Sequence, residues 1–125
     1  EHCNNKTSNA ENAEWITERG YNDAFITCDS AEPKSVADFR SCGLHAQAAQ
    51  KGPGSVEYGM KWLQSRRLVI DPQRTPTVYK EFVNYEFDRD KDGNVISGYP
   101  DKDNHTIDST RYALERVYRR FGNRA

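Results

Sequence analysis

Apolar positions along the chain fall into two rhythms, one helical and one continuous, and together they lay out an alternation of helices and strands. Ile107, Leu114, Val117 and Phe121, with Thr110 and Tyr118 between them, recur at helical spacing and predict a helix from about Asn104 to Arg120 that turns one apolar stripe inward. Ser8-Asn9-Ala10-Glu11 has capping-box spacing and precedes Ala13, Trp15 and Ile16, so a helix is expected from about Asn9 to Arg19, closed by Gly20. Tyr21 to Thr27 reads as a strand. Its end, Ala24-Phe25-Ile26-Thr27-Cys28, is apolar on both faces, as an interior strand covered by helices would be, and it stops at Asp29. A helix opened by Glu32-Pro33-Lys34-Ser35 and ended by Gly43 should follow. His45 to Ser55 is small, polar and glycine-bearing, and predicts a loop. Val56, Met60 and Leu63 then mark a helix, Arg67-Leu68-Val69-Ile70 a second strand, and Thr75-Pro76 the start of a short helix through Val83. Finally, Tyr85-Glu86-Phe87 and Val95-Ile96 alternate about Asp92-Gly93-Asn94, which is a hairpin signal.

Composition narrows the classes this pattern can serve. With 125 residues the chain is one domain or a large piece of one, and 30% charged residues make it polar for a packed fold. A net charge of −1 argues against nucleic-acid binding by bulk charge, so any such binding must rest on a local patch such as Arg111, Arg116, Arg119, Arg120 and Arg124. The sequence holds no apolar run of membrane-spanning length and no leader pattern, which predicts a soluble chain that is not exported. Three cysteines without C-x-x-C spacing indicate neither a disulfide framework nor a zinc site, and reduced thiols in a cytosol fit best. Without a secretory signal, the glycosylation patterns at Asn5 and Asn104 are read as chance.

Candidate chemistry gathers where the last helix opens. Asp101-Lys102-Asp103-Asn104-His105-Thr106-Ile107-Asp108 crowds carboxylates, an amide and an imidazole together, and His105 and Asp108, three apart, share one helix face. They could therefore reach one divalent cation. Equally, Asp103 or Asn104 could simply cap the helix while the acids answer its dipole, and for Asp103 the cap is the preferred role. Asp29 sits at a strand's carboxyl end, where open α/β sheets bind ligands, although it could also serve as an acid at the following helix. Lys51-Gly52-Pro53-Gly54 puts a lysine beside glycines that allow close approach to a phosphate, without the full triphosphate-loop pattern. Asp88-x-Asp90-x-Asp92-Gly93 begins a calcium-loop pattern that fails at its twelfth position, Tyr99.

Four blocks taken together resemble one family. They are Ile26-Thr27-Cys28-Asp29-Ser30-Ala31-Glu32-Pro33-Lys34-Ser35, then Tyr58-Gly59-Met60-Lys61-Trp62-Leu63, then Asn84-Tyr85-Glu86-Phe87 before Asp90-Lys91-Asp92-Gly93, and the 101–108 stretch. In order and spacing they look like the C-terminal nuclease domain of phage terminase large subunits, from about Ser8 to Glu115. The resemblance implies an α/β, partial RNase H-like fold made of the later strands and helices of the nuclease sheet, a β-hairpin and the C-terminal helix. The first three strands, with the first catalytic aspartate, are read as missing, so residues 1–125 are expected to be a single-domain fragment that is inactive alone. It also implies cutting of concatemeric double-stranded phage DNA by two Mg2+ or Mn2+ ions, in the cytoplasm of a bacterial host. Small terminase subunit and portal protein would be partners of the full-length chain. Residue by residue, Asp29, His105 and Asp108 match the acidic and imidazole ligands and are the expected site, close enough to share a metal on one rim.

Two further expectations complete this reading. Lys51 and Arg111 are the candidate DNA-phosphate contacts, and an uncovered strand edge at Ala24 to Cys28 predicts self-association. Two alternatives stand beside it. A resolvase or transposase core would more typically end its acidic set in Glu rather than Asp108, and a noncatalytic module would hold calcium on the hairpin and a partner protein or DNA on its arginine-rich end.

Overall fold

The computed structural model describes residues 1–4, 6–29, 33–96 and 98–122, with the side chains of the last helix as far as Tyr118. Along it run α1 (Asn9–Glu18), β1 (Phe25–Cys28), α2 (Pro33–Ser41), β2 (His45–Ala48), α3 (Ser55–Gln64), α4 (Pro76–Asn84) and α5 (His105–Gly122). Glu32, Arg124 and the side chains of Arg119, Arg120 and Phe121, all invoked above, lie outside the described residues, as does Asn5.

The first half is a β-α-β unit with α1 packed beside it. Ser8 caps α1, its Oγ accepting the Glu11 N–H at 3.1 Å, as the capping-box spacing predicts. Asn9 then ties α1 to α2 by donating to Asp38 Oδ2 at 2.9 Å and Ser35 Oγ at 3.2 Å, over the buried Ala13 and Val36. Across α2 the chain returns as a second strand, parallel to the first, pairing Phe25 with His45 and Cys28 with Ala48. This corrects the expected loop, since His45–Ala48 is strand despite its weak β-propensity. Backbone pairing with β1 overrides local preference, and the small Ala46 and Ala49 are buried where larger side chains would not be needed to fill the space. Arg40 Nε fastens the same strand by donating to Ala46 O at 2.8 Å.

The strand expected at Arg67–Ile70 does not form. Its apolar run has no neighbouring strand among the described residues, and Val69 is 90% exposed. An apolar run is a strand only when a sheet edge is there to pair it. The hairpin is likewise reduced to one antiparallel bridge, Arg89 to Val95, with backbone bonds from Asp90 N to Asn94 O at 2.9 Å and Ile96 N to Asp88 O at 2.8 Å. Gly93 supplies the left-handed residue of the turn with φ 82°.

The second half is helical. Met60 and Leu63 from α3 meet Ile107 from α5 in a small core, with Trp62, Phe82, Tyr85, Tyr99 and Leu114 packed around it. Tyr118 joins this face, its ring 5.6 Å from those of both Tyr58 and Trp62. Ile107, Leu114 and Tyr118 face the core as periodicity predicts, yet the buried stripe of α5 departs from the expected one at other positions. Val117 is exposed, while Asn104, Arg111 and Glu115 are buried beside Ile107 and Tyr118. Charged groups occupy positions that a packing argument assigns to apolar ones, which marks this face as built for something other than stability alone.

Candidate active site

An open cleft of about 690 Å³ runs between the carboxyl ends of the two strands, the start of α3 and the start of α5. Asp29 from the end of β1, Lys51 from the loop after β2, and His105, Asp108 and Arg111 from α5 all line it. Five candidates drawn from three separate stretches of sequence thus face one space. Asp101, Asn104, Tyr85 and Tyr112 line it with them.

The carboxylates of Asp29 and Asp108 are each engaged by a cation of the chain itself. Lys51 Nζ lies 2.6 Å from Asp29 Oδ1, both side chains being roughly half exposed at 45% and 57%. This hydrogen bond to Asp29 is the main reason the Lys51 ammonium is held above its usual range. Arg111 Nη2 lies 3.3 Å from Asp108 Oδ1, with the arginine only 5% and the aspartate 28% exposed. Among the described residues no three His, Cys, Asp or Glu side chains stand close enough together to hold one ion. Asp29, His105 and Asp108 therefore line one cleft without converging on one point, short of the approach to a shared metal expected of them. The donor set itself suits a divalent cation such as Mn2+, offering two anionic oxygens groups and an imidazole, and positive charge already stands against both carboxylates.

Several residues that set this geometry carry no motif. The backbone oxygen of Asn104 accepts the first helical N–H, from Asp108 at 2.8 Å, so Asn104 takes the cap position. The side chain that meets the helix start is neither Asp103 nor Asn104. It is Glu81 of α4, which accepts Thr106 N–H at 2.7 Å and Thr106 Oγ1–H at 2.6 Å. Asp103 is exposed and left-handed at φ 49°, which corrects its expected capping role. Only the tertiary packing of α4 on α5 supplies Glu81, so no local signal could have shown it. Tyr85 fixes the approach to α5 by donating to Pro100 O at 2.6 Å. Its phenol is pushed up first by burial and then by the nearby Asp108 and Asp101 carboxylates.

The loop that carries Lys51 is rooted on α5. Gln50 N–H lies 3.1 and 3.2 Å from the two oxygens of the buried Glu115. Beyond that root, Gly52 and Gly54 flank Pro53, with Gly54 left-handed at φ 75° ahead of α3. On the hairpin, two aspartates of the calcium pattern also have partners within the chain. Asp90 Oδ1 accepts the N–H groups of Asp92 and Asn94, each at 2.9 Å, and Asp88 pairs with Lys102 at 3.1 Å. The aspartates close a turn.

Comparison with known proteins gives a consistent set of likenesses. Residues 1–116 match the family described as the terminase RNAseH like domain. The chain is 42% identical over 120 residues, 94% of its length, to the terminase large subunit of Bacillus phage SPP1. It is 31% identical over 115 residues to the PBSX phage terminase large subunit of Bacillus subtilis strain 168. It covers 28% and 27% of these two relatives, so it spans about a quarter of their length. Among solved structures it resembles the nuclease domain of the bacteriophage SPP1 large terminase with bound Mn. That match has a TM-score of 0.79 and 43% identity, and covers 89% of this chain and 64% of that one.

Proposed function

Since the chain belongs to the terminase RNase H-like domain family and has a partial RNase H-like fold, we propose that it is the metal-dependent nuclease portion of a phage DNA-packaging terminase. The observation that carries this reading is the meeting of Asp29, His105 and Asp108, from two elements distant in sequence, in one cleft with Lys51 and Arg111. Asp29 and Asp108 supply hard anionic oxygens and His105 an imidazole, a set that accepts Mn2+ more readily than the strictly octahedral Mg2+. Two divalent cations bound there would polarise the scissile phosphate and lower the pKa of an attacking water. The chain's own part is to hold those ligands and to meet the substrate's charge. Lys51, once it leaves Asp29, keeps its ammonium at the mouth of the cleft, where a backbone phosphate of double-stranded DNA would lie; Arg111 adds positive charge from beneath.

Cutting concatemeric DNA during packaging is the corresponding role, with small terminase subunit and portal as partners of the whole subunit and the bacterial cytoplasm as its place. No helix among the described residues is long and apolar enough to cross a membrane. Residues 1–125 alone are expected to bind metal without efficient cleavage, because two-metal hydrolysis needs a carboxylate that bridges the ions besides Asp29, His105 and Asp108, and no three such ligands stand together among the described residues. Among the described strands β1 pairs with β2 alone, so self-association along Ala24 to Cys28 is part of the same proposal, to be read by light scattering over a range of concentrations.

Calorimetric titration with MnCl2 tests the site. Binding that Asp108→Asn and Asp29→Asn each weaken at least tenfold supports it; binding that survives both overturns it. Nicking of plasmid DNA with Mn2+, with Asp29→Asn as the control for contaminating nuclease, tests the reaction.

A further inference from the structure

Asp108 is gripped on both oxygens by donors that are themselves almost wholly buried. Arg111 Nη2 meets Oδ1 at 3.3 Å and Asn104 Nδ2 meets Oδ2 at 3.4 Å. The same Asn104 amide also donates to Asp101 Oδ1 at 3.2 Å, so one side chain that is 7% exposed bridges two carboxylates of the cleft. Arg111 is enclosed by construction. A Cβ at Gly59 would stand 2.6 Å from its Cδ and 2.7 Å from its Cγ, so the arginine stem fits only because α3 presents a glycine there. Its guanidinium carbon lies 4.7 Å from the Tyr112 ring centroid, and its Nε is buried without a hydrogen-bond partner.

Enclosing a guanidinium with one N–H unsatisfied is costly, and a phosphate contact would not require it. The contrast is Lys51, which carries its charge in the open. We propose that Arg111 and Asn104 are positioning residues for Asp108, fixing its carboxylate toward the cleft, and that Arg111 does not contact DNA. A carboxylate fixed on both oxygens loses little rotational freedom when it takes an ion, while each oxygen keeps a further lone pair for coordination. The inference rests on the metal-nuclease reading above and extends it to the groups behind the ligand.

Arg111→Lys keeps the positive charge and Asn104→Ser keeps neutrality, so neither changes the net charge around Asp108 while each removes a directed donor. In titrations of the full chain with MnCl2, each is expected to weaken binding by roughly tenfold, the low end for groups that orient a metal ligand. Unchanged affinity in both, with folding verified by circular dichroism, overturns the proposal; if Arg111→Lys fails to fold, Asn104→Ser decides it. DNA affinity measured against salt gives a second readout. Arg111→Met should leave the slope as in the parent chain, whereas Lys51→Met should reduce it by about 0.9 for the one lost phosphate contact. A comparable drop in Arg111→Met would make it a DNA contact and sink the assignment. Asp108→Asn run alongside separates the two failures. Intact Mn2+ affinity there overturns the metal reading itself, while loss there with unaltered affinity in the other two variants overturns positioning alone.

Discussion

The two rims of the cleft hold the same pair of charges in opposite ways. On the β1 rim, Asp29 and Lys51 meet at 2.6 Å with about half of each side chain in water. On the α5 rim, Asp108 and Arg111 stand farther apart, at 3.3 Å, but the arginine is sealed against Gly59 and Tyr112 and the aspartate is held again by Asn104. The shorter contact is the weaker one. Exposed pairs contribute about 0–1 kcal/mol because water and side-chain entropy cancel most of the attraction, whereas breaking a buried pair leaves a charge without compensation. One rim is thus a loose clasp that can open for a ligand, and the other is a fixed wall.

The largest effect should come from breaking the wall without touching a charge. Gly59→Ala puts a methyl group 2.6 Å from the Arg111 stem, and overpacking of this kind costs roughly 1–3 kcal/mol. Urea unfolding should show that loss; a midpoint unchanged from the parent would mean that Arg111 swings clear and the wall is not rigid. Next comes Glu81→Ala, which removes the acceptor for Thr106 at the start of α5 and is expected to cost about 1–2 kcal/mol, as loss of a helix cap does. A smaller change would place the stiffness of this rim in packing rather than in that hydrogen bond.

On the loose rim, Lys51→Gln should move stability by less than about 0.5 kcal/mol. It should nonetheless tighten Mn2+ binding, by roughly fivefold at most, since unit charges ~4 Å apart in water interact by about 1 kcal/mol. Weaker Mn2+ binding in this variant would make Lys51 a support for Asp29 and erase the contrast between the rims. The smallest effect is alkaline. Lys51 is raised chiefly by its hydrogen bond to Asp29, and Tyr85 chiefly by burial with Asp108 and Asp101 adding to it. Both groups bind their protons more tightly when folded, so what they contribute is present below the ordinary Tyr and Lys values of about 10 and 10.4 and is lost as pH rises through the raised ones. Stability should be insensitive to these groups between pH 6 and 9 and decline above about 10, less steeply in Tyr85→Phe. An identical decline in that variant would exclude Tyr85 from it.

Much of the fold was legible because local signals agreed with the tertiary outcome. The Ser8 cap, the glycine stops and Pro76 in a first turn stand where pattern placed them, whereas the strand before Asp29 is Phe25–Cys28 rather than Tyr21–Thr27 and is not an interior one, since Phe25 is exposed and none of its four residues is buried. What failed depended on neighbours distant in sequence. His45–Ala48 is a strand because β1 pairs with it, and Arg67–Ile70 is not because nothing does. The candidate ligands were visible as a family likeness and, more faintly, as a crowd of polar groups at a helix start. Their supports were not. Glu81, Tyr85 and Glu115 act through contacts 15 to 65 residues away in sequence, and on α5 the buried Arg111 and Glu115 run against the hydrophobic stripe that periodicity seeks.

The bond between Gln50 N–H and Glu115 also makes one amide proton a clock for the cleft. Gln50 is the last residue before the lysine arm, and its N–H is fastened to the middle of the longest helix rather than to the sheet beside it. Its hydrogen exchange should therefore follow the opening of α5 away from the strands, a subglobal event, whereas the amide of Lys51, one residue on, should exchange as an exposed loop does. A single boundary between adjacent peptides would then report where the scaffold ends and the moving part of the cleft begins.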